Sequence, residues 1–450
     1  FSLSLESILT RASEKARRKQ QKARRSMLAI EGGSPVRDVT THPWPKWPRF
    51  GDQEKKLLLE VLESRVWSYN GPKEKRVLEL WSQFLGSQFA IAVANGTVSL
   101  QLALEALDIG WGDEVLVPGL TWQATAAAVI DVNAVPVLVD VDPETWCIDP
   151  ERAKEALTPR TKAIMPVHLY GAMADMDAVN DLAREQRLKV IEDTAHQHGS
   201  EWNRKKAGTL SDIGSFSLQL SKVLTAGEGG LISTDDPNLW ERLDALRNCG
   251  RRPARDEEES KGEGVYQSEG DLIQSGNYRI TEFQAAVLIG GIERLPQEVS
   301  LREANAAWLD KQLSEIQGLD PIHPYPQQNR RSYFNYAFSI DPDRFAGGGI
   351  STQKFREALA AELGTSVASC YEPLNDCSLY RPQTKRRYRI SDEYWKAIDP
   401  GRFDLPVCED LYERKAVTLH HSVLLDDQSN LKTVIEALRR LEKEAASLRS

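Results

Sequence analysis

The run Gly214-Ser215-Phe216-Ser217-Leu218-Gln219-Leu220-Ser221-Lys222-Val223-Leu224-Thr225-Ala226-Gly227-Glu228-Gly229-Gly230 decides how the rest of the chain is read. Residues 213–218 are apolar and β-prone, and they deliver a single lysine to a turn. Thr225 and three glycines then lead into a second apolar segment, Leu231-Ile232-Ser233. A lysine held at the mouth of a sheet loses hydration, which favours the neutral, nucleophilic amine. Such an amine forms a Schiff base with a carbonyl compound. An exposed lysine in a plain hairpin fits the same pattern, and the chain has 57 Lys+Arg. Only the surroundings can separate the two.

Outward from this run, short apolar segments recur at 90–94, 114–117, 135–141, 163–168 and 190–192, before the pair at 213–218 and 230–233. Helical patterns lie between most of them, as at 98–107 and 176–186. This alternation predicts an α/β fold with a mostly parallel, seven-stranded sheet and helices on both faces. Ligands of such sheets bind beyond the carboxyl ends of the strands. Amphipathic helices are predicted at 52–66 and 73–85, two more at 281–294 and 300–317, and another at 428–446. The charged stretch 252–269 reads as a mobile surface loop. The expected partition is an extension over 1–26, a large domain over 27–300 and a smaller α+β C-terminal domain over 301–450.

Composition narrows the classes. With 450 residues the chain exceeds one ordinary core, and 41% hydrophobic with 27% charged residues is a globular balance. A net charge of -9 argues against nucleic acid as a main partner. No apolar run approaches the roughly 20 residues that span a membrane. The five cysteines (147, 249, 370, 377 and 408) form no CxxC pair, which fits reduced thiols in a cytoplasm and no metal site. Residues 11–25 hold eight basic side chains against the single acid Glu14, and Met27 opens a natural protein start. The segment before it is expected to lie outside the folded enzyme.

Four further features fall at predicted strand ends. Asn95-Gly96-Thr97-Val98-Ser99 joins a strand to a helix, so glycine and the free N–H groups there can cup a phosphate; a turn with an N-cap reads equally well. Trp122 follows Val117-Pro118-Gly119 and can stack on a planar ring or pack in the core. Asp193, after Lys189-Val190-Ile191-Glu192, can pair with a pyridine nitrogen or cap a helix, with His196 three residues on. Gly276-Asn277-Tyr278-Arg279 offers Asn277 and Arg279 to an anion, in a partner subunit or in a capping turn. Phosphate cup, stacking aromatic, acid and lysine, in that order on successive strand ends, are the parts of a pyridoxal phosphate (PLP) site.

With these motifs the sequence resembles the DegT/DnrJ/EryC1/StrS sugar aminotransferases of PLP fold type I. The resemblance is carried by Trp67-Ser68-Tyr69-Asn70-Gly71-Pro72, Asn95-Gly96-Thr97, Gly112-Asp113-Glu114-Val115 and Val139-Asp140-Val141-Asp142. Pro166-Val167-His168-Leu169-Tyr170-Gly171, Glu192-Asp193, the lysine run and Gly276-Asn277-Tyr278-Arg279 complete it. It implies that Lys222 bonds the cofactor and moves the proton of the amino transfer. It implies that Asp193 pairs with the pyridinium nitrogen, Trp122 stacks on the ring, and His196 lies beside the ring or its phenolic oxygen. Gly96, Thr97 and Ser217 would hold the phosphate, with Asn277 supplied by the second subunit of a homodimer.

The resemblance also implies the chemistry. A dehydrating branch carries histidine in place of Lys222, so lysine implies transamination. The Thr-Ala-Gly-Glu-Gly-Gly run, the early Gly-Gly-Ser-Pro-Val-Arg and Tyr371-Glu372-Pro373-Leu374 are similar to the branch that aminates ketosugars and keto-cyclitols with L-glutamate or L-glutamine. That branch includes 3-amino-5-hydroxybenzoate synthase, so a lyase of that type is the competing expectation; a non-catalytic partner subunit is another. His420-His421 and Lys385-Arg386-Arg387 are expected as solvated loop residues.

Overall fold

The computed structural model describes residues 27–68, 70–251 and 273–449. The basic segment before Met27 and the charged stretch 252–269 fall outside them. Two helices, α1 (Asp52–Ser64) and α2 (Pro72–Leu85), precede the sheet. Pro72 opens α2 at a position whose N–H has no helical partner, and Gly86 ends it with φ 77°.

The strands are β1 (Phe89–Val93), β2 (Glu114–Pro118), β3 (Val135–Val139), β4 (Thr161–Ile164) and β5 (Lys189–Asp193). After them come β6 (Glu201–Trp202), β7 (Lys205–Lys206), β8 (Ile213–Ser217) and β9 (Gly230–Thr234). Seven form one sheet in the order β1-β9-β8-β5-β4-β2-β3. The pairs β2–β3, β2–β4, β4–β5 and β5–β8 are parallel, while β9 runs antiparallel to both β8 and β1. The expected mostly parallel sheet is therefore present, with one reversed strand. The chain reverses through residues 218–229, which carry it from β8 to its antiparallel neighbour β9 without an intervening helix. β2 and β3 are buried along their whole length, as strands covered on both faces must be.

Helices α3 (Gly96–Ala106), α4 (Ala124–Asp131), α5 (Pro150–Glu155), α6 (Met176–Gln186) and α7 (Pro237–Arg247) alternate with the strands. The apolar run 163–168 is strand only to Ile164; Val167 rejoins the sheet through a single bridge to Asp193.

The two helices expected at 281–294 and 300–317 are one helix of 32 residues, α8 (Glu282–Leu313), with Pro296 inside it. An interior proline costs about 3 kcal/mol. Packing outweighs it: Ala285, Leu288, Ile292, Leu295 and Val299 enter the core around the seven-stranded sheet, and Ala306, Leu309 and Leu313 enter a second core. The partition expected near residue 300 thus falls within a continuous helix.

The second core surrounds an antiparallel sheet of β10 (Leu319–Pro321), β12 (Tyr336–Ile340), β14 (Ala416–Leu419) and β13 (Val367–Ala368), with α9 (Thr352–Leu363) and the C-terminal helix Gln428–Lys443. β11 (Gln328–Arg330) pairs with β6 instead. Leu28 joins this second core, tied down where Glu362 accepts from Ala29 N at 2.8 Å and Val36 N at 3.0 Å. Residues between Cys370 and Leu411 pack back on the first core, which brings Tyr371 to the sheet's ligand-binding end. Among the described residues no helix is long and apolar enough to cross a membrane.

Candidate active site

Two adjacent acids end β5, and strand alternation sends them to opposite sides of the sheet. Glu192 is fully buried and saturated. Its carboxylate accepts from His168 Nε2 at 3.0 Å, Gly208 N at 2.8 Å, Leu210 N at 2.7 Å and Ser211 Oγ at 2.9 Å. His168 Nδ1 accepts from Ala174 N at 3.2 Å, so the ring proton sits on Nε2 and is donated to Glu192. Asp193 faces the ligand side with fewer partners: Thr125 Oγ1 donates to Oδ2 at 2.9 Å and Ala195 N to Oδ1 at 3.2 Å. No helix follows it, so helix capping is not its task. Burial raises its pKa, while the Thr125 hydroxyl, the Ala195 N–H and the Lys222 ammonium pull it down.

Lys222 sits in the turn between β8 and β9, 8% exposed. Among the described residues it makes no ion pair; Nζ lies 4.0 Å from the centroid of the Phe334 ring. Burial pushes its pKa down to about 8 from the ordinary 10.5, against the attraction of Asp193. This is not a solvated hairpin lysine. Its amine is substantially neutral at mildly alkaline pH, as a Schiff-base nucleophile must be.

The phosphate cup and the N-cap coexist at Asn95–Thr97. Asn95 Oδ1 accepts from Val98 N at 2.9 Å and caps α3, while the first N–H groups of the helix point outward with no acceptor inside it. A Cβ on Gly96 would stand 2.7 Å from Ser217 Cβ, so only glycine lets the helix start approach the end of β8. Gly230, paired with both Ser217 and Val93, backs the same corner: a Cβ there would stand 2.5 Å from Asn95 O. Gly96→Ala is expected to push this corner open. Overpacking of this kind costs about 1–3 kcal/mol, so a phosphate-bearing cofactor should bind roughly 5- to 150-fold more weakly in a titration of the apoenzyme.

Trp122 is 46% exposed, so it is not a core tryptophan; its ring lies 5.7 Å from that of Tyr371. His196 is buried with its ring 4.0 Å from Phe334, and its Nε2 is 3.2 Å from the Tyr371 hydroxyl. Burial holds its imidazole well below the usual histidine range, and the Lys222 ammonium adds to the effect. His196 Nδ1 is buried without a partner among the described residues. Tyr170 completes the aromatic wall, 5.5 Å from His196 and 5.6 Å from Tyr371, with a left-handed φ of 47°. A tyrosine in that region is a strained exception of the kind that gathers at functional sites.

The structure thus brings Asp193, His196, Trp122 and Lys222 together, with Gly96, Thr97 and Ser217 at the next strand end. Asn277 stands apart from them. It is exposed, and its Oδ1 accepts from Arg279 Nε at 2.9 Å, while Arg279 Nη1 reaches Asn248 Oδ1 at 3.0 Å. One expectation needs correction. His421 is not solvated: it is fully buried and its Nε2 donates to Ser221 O at 2.9 Å, beside Lys222, with Trp47 holding Leu220 O at 2.9 Å. Lys385, Arg386 and Arg387 are exposed, as expected of a solvated loop, with Arg387 paired to Asp131 at the end of α4. Thr125, Tyr170, Phe334 and Tyr371 went unassigned in sequence; Tyr170 and Tyr371 lay inside quoted motifs, and Thr125 stands four residues after Thr121, one helical turn away.

With its reversed β9 and its lysine in the turn before it, the sheet is that of the PLP-dependent aminotransferases of fold type I. An aminotransferase from Psychrobacter cryohalolentis superposes with a TM-score of 0.77 at 28% identity over 90% of this chain and 100% of its own. A 3-amino-5-hydroxybenzoic acid synthase does so with a TM-score of 0.76 at 31% identity, over 90% and 99%. The chain belongs to the DegT/DnrJ/EryC1/StrS aminotransferase family, whose model matches residues 48–439. L-glutamine:2-deoxy-scyllo-inosose aminotransferase of Streptoalloteichus tenebrarius is 42% identical over 94% of this chain and 99% of its own length. L-glutamine:scyllo-inosose aminotransferase of Streptomyces griseus is 39% identical over 92% and 97%.

Proposed function

We propose that this chain is a PLP-dependent aminotransferase that passes the amino group of L-glutamine to a keto-cyclitol of the inosose class. The observation that carries this reading is the end-to-end similarity to aminotransferases named for that donor and those acceptors. The residues present fit the cofactor. The Gly96 corner excludes a Cβ, Lys222 is buried without an ion pair among the described residues, and the His196 Nδ1 is an orphan in the same site.

When bound, PLP supplies the electron sink for ionising the bond next to the transferred amine. Lys222 would hold it covalently. Asp193 would pair with its ring nitrogen, Trp122 would cover a face, and His196 would meet its phenolic oxygen. Gly96, Thr97 and Ser217 would hold its phosphate, with Asn277 contributed by a second copy in a homodimer. Lys222 Nζ, with its pKa near 8, takes up a proton and gives it back in the working pH range. Tyr371, Tyr170 and Phe334 line this side of the site with rings that keep water from the moving proton.

The test is a donor and acceptor screen with the purified holoenzyme. With L-glutamine, 2-deoxy-scyllo-inosose or scyllo-inosose should yield an aminocyclitol by mass spectrometry, and nucleotide-linked 3-keto and 4-keto sugars should not. Turnover of the nucleotide sugars alone would overturn the acceptor class. An aromatic amino acid product formed without any donor would establish the lyase reading instead.

A further inference from the structure

Asp193 is held by a chain of hydroxyls to which no role above has been given. Thr121 and Thr125 flank Trp122 at the entry to α4, and both are buried. Thr125 Oγ1 lies 2.9 Å from Asp193 Oδ2, 2.9 Å from Thr121 Oγ1 and 3.2 Å from Trp122 O. A threonine hydroxyl has one proton for these three neighbours. An ionised carboxylate is the strongest acceptor among them, so the Thr125 proton goes to Asp193 and Thr121 donates to Thr125. The chain then runs in one direction, Thr121 to Thr125 to Asp193. If Asp193 is protonated, that directed donation to Oδ2 is lost.

We propose that Thr125 is a positioning residue, whose hydroxyl, oriented by Thr121, keeps Asp193 ionised and fixed in direction for a cationic nitrogen bound in the site. The inference deepens the PLP-dependent reading and rests on it for the identity of that nitrogen. Asp193 is also faced by Lys222 from the turn after β8, His168 from the segment after β4, and, from the aromatic wall, Tyr371, whose hydroxyl meets His196. These remain when Thr125 is changed. What Thr125→Val removes is the one side-chain hydroxyl that donates to Oδ2, at nearly unchanged volume.

Burial already raises the Asp193 pKa, and the lost donor raises it further, so a smaller fraction is ionised at any given pH. The carboxyl titration of Asp193 in the apoenzyme, followed by carbon-13 NMR and assigned by its absence in Asp193→Asn, should move up by about one pH unit, tenfold in the equilibrium. In the holoenzyme the acid limb of kcat/KM should move up by a similar amount. Thr125→Ser, which keeps the hydroxyl, should restore both. Thr121→Val, which removes only the orienting donor, should shift them the same way by less, and it serves if Thr125→Val does not fold. An Asp193 titration unmoved in the valine variants, or a serine variant that behaves like valine, overturns the proposal. If wild-type apoenzyme binds no PLP, the proposed function fails, while the apoenzyme titration still decides the role of Thr125.

Discussion

Lys222→Ala is expected to lower amino transfer by at least about 10³-fold, because the substitution removes both the nucleophile and the proton carrier. The chain should still fold and still retain PLP without a covalent link, since the Gly96 corner and Asp193 are untouched. A small primary amine added to the assay should recover part of the rate, as the cavity left by the side chain lies beside Phe334. Stopped assays with labelled glutamine would read the loss and the rescue, and the absorbance of the dialysed protein would read the retained PLP. Turnover near the wild-type rate would remove Lys222 from the chemistry. A second readout needs no cofactor. The Lys222 pKa falls from 10.5 unfolded to about 8 folded, so between these values the unfolded chain binds more protons and stability rises with pH. Denaturant unfolding of apoenzyme at pH 8 and pH 10 should show that slope in wild type and a smaller one in Lys222→Ala.

Asp193→Asn should depress turnover by about 10²- to 10³-fold, the scale seen when one preorganised electrostatic partner of a reacting system is lost. The amide keeps the shape and the Thr125 contact, but it cannot balance a positive ring nitrogen. Its neighbour supplies the control. Glu192→Gln leaves the ligand side of the sheet unchanged but turns an amide NH₂ toward two of four donors, at a cost of about 1–3 kcal/mol. Its melting temperature should fall while kcat stays near wild type. Equal losses of activity in the two variants would show that the acids do not divide the work in this way.

That contrast marks how far the sequence was legible. Glu192 and Asp193 stand side by side, and period-two alternation says that they face opposite ways, but not which way; the packing of His168 and Gly208 on one side settles it. Pro296 reads as a helix break, yet α8 continues because both cores bury its faces. His421 reads as a loop residue because its partner, Ser221, is 200 positions away. Tyr371 meets His196 across 175 positions. Neither partner is encoded in local periodicity, which reports only which face of an element is apolar.

Motif order along the chain was enough to point to the family, the mostly parallel sheet, and the candidate lysine, acid and glycine cup, because these are local devices: a strand end, a turn, a helix start. Folding had to supply the rest. A low pKa for Lys222, a hydroxyl chain on Asp193 and an aromatic wall drawn from residues 170, 334 and 371 all depend on segments far apart in sequence excluding water from the same site.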